Sequence, residues 1–103
     1  MTREFHPEAE RELDQSARWY AEQSLFAAER FLKGIQNAID SVMHDPARYQ
    51  PVGEGVRVFR LTRFPYKLFY EFDEGIQHVR ILCVMHNRRR PDYWHDRIEG
   101  RAS

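Results

Sequence analysis

Residues 66–86 read YKLFYEFDEGIQHVRILCVMH, and the period of this stretch decides the fold. Tyr66, Leu68, Tyr70 and Phe72 alternate with Lys67, Phe69 and Glu71. A period of two puts successive side chains on opposite faces of a strand. Asp73-Glu74-Gly75 then suits a hairpin connection. Beyond it Val79, Ile81, Cys83 and Met85 alternate with Arg80, Leu82, Val84 and His86. The spacing predicts antiparallel strands over Tyr66–Asp73 and His78–His86. The second is apolar on nearly both faces, which predicts a central place in the sheet. Upstream, Val56 to Thr62 alternates imperfectly and predicts a third strand. Asp45, Pro46, Pro51, Gly53 and Gly55 mark the segment before it as a loop.

Before that loop the period changes. Pro7 suits the first turn of a helix, where its missing N–H costs nothing. Glu8, Glu10 and Glu12 follow, acidic residues placed for the helix dipole. Ala9, Leu13, Ala17 and Tyr20 form one apolar stripe, so a helix is expected from about Pro7 to Glu22. Ser24 suits an N-cap. Leu25, Ala28, Phe31, Leu32, Ile35, Ala38, Ile39, Val42 and Met43 carry helical spacing to a stop before Pro46. The short connection predicts a helical hairpin. Thr2 to His6 reads as a short first strand. The fold class is α+β: a mainly antiparallel sheet covered on one face by an N-terminal helical hairpin, in one domain over residues 1–103.

Composition narrows the function classes. The chain has 103 residues, 42% hydrophobic and 31% charged, which suits one core. No apolar run reaches the roughly 20 residues that span a bilayer, and Met1 to Pro7 has no apolar stretch, so no membrane partner is expected and the cytoplasm is the expected compartment. Cys83 is the single cysteine, which excludes an intrachain disulfide and a four-cysteine zinc site. His6, His44, His78, His86 and His95 lack metal-ligand spacing, and neither a glycine-rich phosphate loop nor a Gly-x-Ser-x-Gly turn occurs. No metal and no cofactor are expected. The formal net charge of zero hides a division. Residues 1–55 hold 6 Lys/Arg against 10 Asp/Glu, and residues 56–103 hold 10 against 6. A basic C-terminal half suits an anionic partner, either nucleic acid or an acidic protein segment, and also suits a solvated sheet face.

Three motifs carry a family resemblance. They are Phe5-His6-Pro7-Glu8-Ala9, then Arg63-Phe64-Pro65-Tyr66 followed by Tyr70, then Val84 to Trp94 with the run Arg88-Arg89-Arg90. Together, in this order, they resemble the ParE/RelE superfamily of type II toxins, and the last resembles the ParE-like branch. The resemblance implies the toxic half of a toxin–antitoxin pair, of the kind that stabilises plasmids, neutralised by a cognate antitoxin. ParE-like members bind DNA gyrase. RelE-like members are metal-independent endoribonucleases that cut mRNA on the ribosome. Other members have no activity beyond antitoxin binding.

The site candidates follow this division. Cleavage of RNA needs groups that activate a 2′-hydroxyl, hold the phosphate and protonate the leaving oxygen. By resemblance Arg60, Lys67 and Tyr93 fall at nuclease positions, and His86 is the candidate base. Asn87 stands where those nucleases carry an arginine, and Lys67 replaces another. Arg88, Arg89 and Arg90 are the densest charge, able to pair with phosphates or carboxylates alike, and equally readable as a solvated turn. Tyr93 is open between packing and contact, and Trp94 is expected to pack. Trp19 is either rim packing or part of a groove for an antitoxin helix.

Overall fold

A computed structural model describes residues 1–89 and 94–98. In chain order it holds β1 (Thr2–Phe5), α1 (Pro7–Gln23), α2 (Leu25–His44), β2 (Gln50–Gly53), β3 (Val56–Arg60), β4 (Tyr66–Asp73), β5 (His78–His86) and a 3-10 turn at His95–Arg97. The strands form a five-stranded sheet in the order β1-β5-β4-β3-β2. Every pairing is antiparallel except β1 with β5, which is parallel. The α+β architecture is as the periodicity predicts. β5 is an interior strand, but the middle of the sheet is β4.

Both helices begin on side-chain caps. His6 caps α1, its Nδ1 accepting from the Glu8 N–H at 3.1 Å, and Pro7 opens the first turn. Ser24 alone separates the helices, and its hydroxyl accepts from the Ala27 N–H at 2.9 Å. The predicted stripes meet the sheet: Ala9 from α1 and Phe31, Ile35, Ala38, Ile39 and Val42 from α2 are buried with Leu68, Tyr70, Val79 and Ile81. Leu25 and Leu32, read as part of the α2 stripe, instead face solvent. Gly34 lets α2 approach the sheet side closely, since a Cβ there would sit 3.1 Å from the Phe64 ring. Tyr70 ties down the exit of α2. Its hydroxyl donates to the Pro46 carbonyl at 2.6 Å, and burial pushes its pKa up to about 12.

The segment expected to be only a loop contains β2. Pro51 and Gly53 have the character of breakers, but among the described residues β2 pairs on one side only, where a missing N–H is tolerated. Gly53, Glu54 and Gly55 all have positive φ and turn the chain into β3. The β4–β5 connection is also longer than Asp73-Glu74-Gly75. It runs to Gln77, whose φ is 53°, and the Asp73 carboxylate accepts from the Gly75 and Ile76 N–H groups.

The strict alternation predicted along His78–His86 fails at one point. Phe69 pairs with Cys83 and Tyr70 with Ile81, so Leu82 is an extra residue without a β4 partner. Such a bulge shifts the phase of everything after it. Val79, Ile81 and Val84 therefore face the helices, while Leu82, Cys83 and Met85 face the other way with Val56, Val58, Phe69 and Trp94.

The bulge coincides with the end of β1. The His6 N–H still reaches the Ile81 carbonyl at 2.8 Å, and beyond it β5 has no strand on that side among the described residues. Two side chains take over. The Glu12 carboxylate accepts from the Val84 N–H at 3.0 Å, and the Arg97 guanidinium donates to the Leu82 carbonyl at 2.9 Å. Arg97 also grips both oxygens of Glu12, at 2.8 and 2.9 Å. Arg80 donates to the Arg97 carbonyl at 2.9 Å. Arg97 is only 7% exposed, so this ion pair survives burial through satisfied hydrogen bonds. Cys83 lies beneath it, and burial pushes its thiol up to about 12.

Removing one partner strands the other charge. Glu12→Ala and Arg97→Ala are each expected to cost about 3–5 kcal/mol in urea unfolding, and the double variant less than their sum. His6 contributes a pH dependence. Burial, then the nearby Arg80 and Arg97 charges, hold its pKa below the ordinary 6.5, so the folded chain prefers the neutral ring. That stability is complete above 6.5 and is lost as pH falls below it toward the folded-state value. His6→Asn, which keeps a cap, should lose less stability than the parent protein as pH falls below 6.5.

Candidate functional site

The sheet carries a concavity on each face. On the helical side, α2 and the β3–β4 connection enclose an open groove of about 590 Å³. Phe59, Leu61, Phe64 and Ala38 supply apolar surface, and Arg30, Lys33 and Arg63 supply charge. No carboxylate lines it among the described residues. The connection is held by backbone bonds: the Leu61 N–H donates to the Tyr66 carbonyl at 3.0 Å, and the Asn87 N–H to Pro65 at 2.8 Å. Phe64 is fixed by aromatic contacts with Tyr20 at 5.6 Å and Phe31 at 5.5 Å. The Phe64-Pro65-Tyr66 turn thus forms one end of the groove.

The tip of the helical hairpin adds apolar surface. Trp19 is 55% exposed, Leu25 75% and Phe26 68%, values that leave most of each ring or chain without a partner. Trp19 meets the Tyr20 ring edge-on at 5.0 Å, so it sits at the rim of the core. Phe26 lies under the Arg30 guanidinium at 5.8 Å.

On the opposite face a smaller cleft of about 280 Å³ lies between β2, β3, β4 and the C-terminal turn. Arg60 and Lys67 line it together, paired directly across the β3–β4 ladder. Trp94 closes one side. It is buried as expected, but against Phe69 on this face and not against the helices. Its Nε1–H is buried without a hydrogen-bond partner among the described residues.

His86 stands apart from Arg60 and Lys67. It pairs with Tyr66 across the ladder, meets that ring at 5.2 Å, and lines a separate hollow with Glu12, Ser16 and Arg89. Its Nδ1 accepts from the Arg88 N–H at 3.2 Å, so the ring stabilises the turn that begins the arginine run. Asn87 contributes its backbone to the same turn. Arg88 and Arg89 lie just past Asn87 in the turn after β5, whereas Arg90 and Tyr93 lie outside the described residues.

Sequence reasoning missed three contributors. Glu12 reads as a dipole-favourable acid, although its place three residues after Ala9 puts it on the buried side of α1. Arg97 carries no local signal, because its partner is 85 positions away. The Arg30 and Lys33 rim was hidden among the charges of a solvated helix face.

Trp94 permits a check on the second face. Trp94→Ala is expected to cost about 3–5 kcal/mol of stability. Trp94→Phe should cost much less, because it keeps the ring contact while removing a buried, unpaired donor. Equal losses in thermal or urea unfolding would contradict this account of the site.

Comparison with known proteins bears on identity. No curated protein matches the chain. Among solved structures, a chain of the chromosomal ParDE TA system from P. aeruginosa is similar in fold, with a TM-score of 0.59 over 84% of this chain and 95% of that one at 21% identity. The family described as ParE toxin of type II toxin-antitoxin system, parDE, matches residues 3–91. With most of its length matched, the chain belongs to the ParE toxin family of type II toxin–antitoxin systems.

Proposed function

We propose that this protein is the single-domain toxin of a type II pair, that a cognate antitoxin neutralises it in the cytoplasm, and that it acts by binding DNA gyrase without catalysis. The carrying observation is the separation of the candidate catalytic groups. Arg60 and Lys67 share a cleft on one face, while His86 pairs with Tyr66 and is engaged by the turn after β5. A ribonuclease needs its base within hydrogen-bond reach of the hydroxyl that the phosphate clamp presents. Partition between faces supports a binding action over cleavage. Target binding is assigned to the exposed Arg88 and Arg89, together with Arg90 and Tyr93, which lie outside the described residues.

The larger groove suits the antitoxin. An apolar floor with a rim of Arg30, Lys33 and Arg63 matches an acidic segment with apolar anchors. Trp19 and Phe26 would extend that contact along the hairpin. Charge on the rim accelerates association more than it deepens affinity.

Induced expression without antitoxin, with pulse labelling of DNA and protein synthesis, tests the target. DNA synthesis is expected to fall first, and Arg88→Ala with Arg89→Ala should delay that fall. Early loss of protein synthesis, abolished by Arg60→Ala or Tyr93→Phe, would instead establish the ribosome and mRNA as target. Arg30→Glu combined with Lys33→Glu should slow antitoxin association about tenfold or more at low salt, with the difference shrinking as salt rises. An association rate unchanged by salt and by these substitutions would remove the groove assignment.

A further inference from the structure

The groove assigned to the antitoxin and the turn bearing Arg88 and Arg89 share no side chain, yet the β3–β4 connection belongs to both. Phe64 lines the groove. The next residue, Pro65, accepts at its carbonyl from the Asn87 N–H at 2.8 Å, and Asn87 opens the turn that carries the arginines. Tyr66 makes a second link. Its ring meets His86 at 5.2 Å, and the His86 Nδ1 accepts from the Arg88 N–H at 3.2 Å. This three-residue piece is stiff. Pro65 fixes its own φ and restricts Phe64 to extended backbone. The Tyr66 N–H donates to the Phe64 carbonyl at 2.7 Å and closes the piece on itself. A tilt of Phe64 therefore carries the Pro65 carbonyl with it.

Gly34 marks where such a tilt would start. Glycine inside a helix is less stable than alanine, so its place in α2 calls for a packing reason. A Cβ there would lie 3.1 and 3.2 Å from two atoms of the Phe64 ring, too close unless the ring gives way. Behind the ring stand Tyr20 and Phe31, at 5.6 and 5.5 Å. Packed rings pass a displacement on instead of absorbing it.

We propose that Phe64-Pro65-Tyr66 is a lever through which an occupant of the groove controls the arginine turn. An apolar anchor of the antitoxin that presses on Phe64 draws the Pro65 carbonyl away from Asn87, and the turn loses the bond that sets Arg88 and Arg89. Neutralisation then needs no contact with the arginines themselves. The proposal rests on the reading that the antitoxin takes the groove and the target takes the arginines. Coupling of this kind is reciprocal, so a ligand held by the arginine turn weakens antitoxin binding by the same factor.

Amide hydrogen exchange, followed by NMR on the full chain, reads the turn residue by residue. Gly34→Ala presses on Phe64 with no antitoxin present. It is expected to speed exchange at Asn87 and Arg88 about fivefold or more, while Val84, held by Glu12, keeps its rate. Phe64→Leu removes ring atoms that the new methyl meets, so Gly34→Ala should add nothing in that background. Saturating cognate antitoxin should speed the same two amides in the parent chain, and Phe64→Leu should abolish that response without abolishing binding. Should Gly34→Ala not fold, the antitoxin arm decides alone. Unchanged exchange at Asn87 overturns the lever, as does a rise that Val84 shares, which is general loosening. Slower exchange at Asn87 on antitoxin binding overturns it too, because the antitoxin then covers the turn directly. The underlying readings fail separately. Antitoxin binding that Arg30→Glu with Lys33→Glu leaves unchanged removes the groove assignment, and the Gly34→Ala result stands without it. Full toxicity of Gly34→Ala with a loosened turn upholds the coupling and removes Arg88 and Arg89 from the target surface.

Discussion

The structure depends on how β5 is finished where β1 leaves it. A strand inside a sheet must satisfy hydrogen bonds on both sides, and buried backbone groups left unpaired are costly. β1 serves β5 only as far as Ile81. From there the carboxylate of Glu12 and the guanidinium of Arg97 supply the acceptor and donor that a longer strand would have given. That substitution joins α1, β5 and the C-terminal turn at one point. It also fixes the bulge at Leu82, and the bulge decides which side chains of the last strand face which layer.

The same bulge allows a thin sheet to have two different faces. One is buried under the hairpin with an aromatic group of Tyr20, Phe31, Phe64 and Tyr66. The other is covered only in part, by Trp94 and the turn after it, and a pair of cations remains beside that cover. Positive charge thus lies on both faces, near different neighbours. On the hairpin side it rims an apolar trough, an arrangement suited to an amphipathic chain. On the far side it adjoins stacked rings. A protein with no formal net charge can in this way present two basic surfaces.

Period and punctuation made most of the fold legible. The β4 and β5 boundaries, both helices and the Ser24 cap follow from spacing and from Pro7, Ser24 and Pro46. β2 was not legible, because an edge strand with Pro51 and Gly53 has the composition of a turn. The phase shift at Leu82 was hidden for a different reason. Both neighbours of Leu82 are apolar, so the hydrophobic pattern reads equally well on either side of it. Arg60 and Lys67 could be named from sequence, and their mutual opposition followed only from register. The clamp of Glu12 on Arg97 was out of reach, since ion pairs carry no period. The basic rim of the groove was equally hidden, because Arg30 and Lys33 resemble any exposed helix charge.

The parallel pairing of β1 with β5 has a consequence for synthesis. β1 needs a strand made much later in the chain, since Thr2 sits opposite His78. Glu12 emerges early as well and meets its counter-ion only when Arg97 is free of the ribosome. Contacts between such distant positions close late and slowly. A chain without the segment that bears Arg97 leaves Glu12 without this counter-ion and the Leu82 carbonyl without this donor.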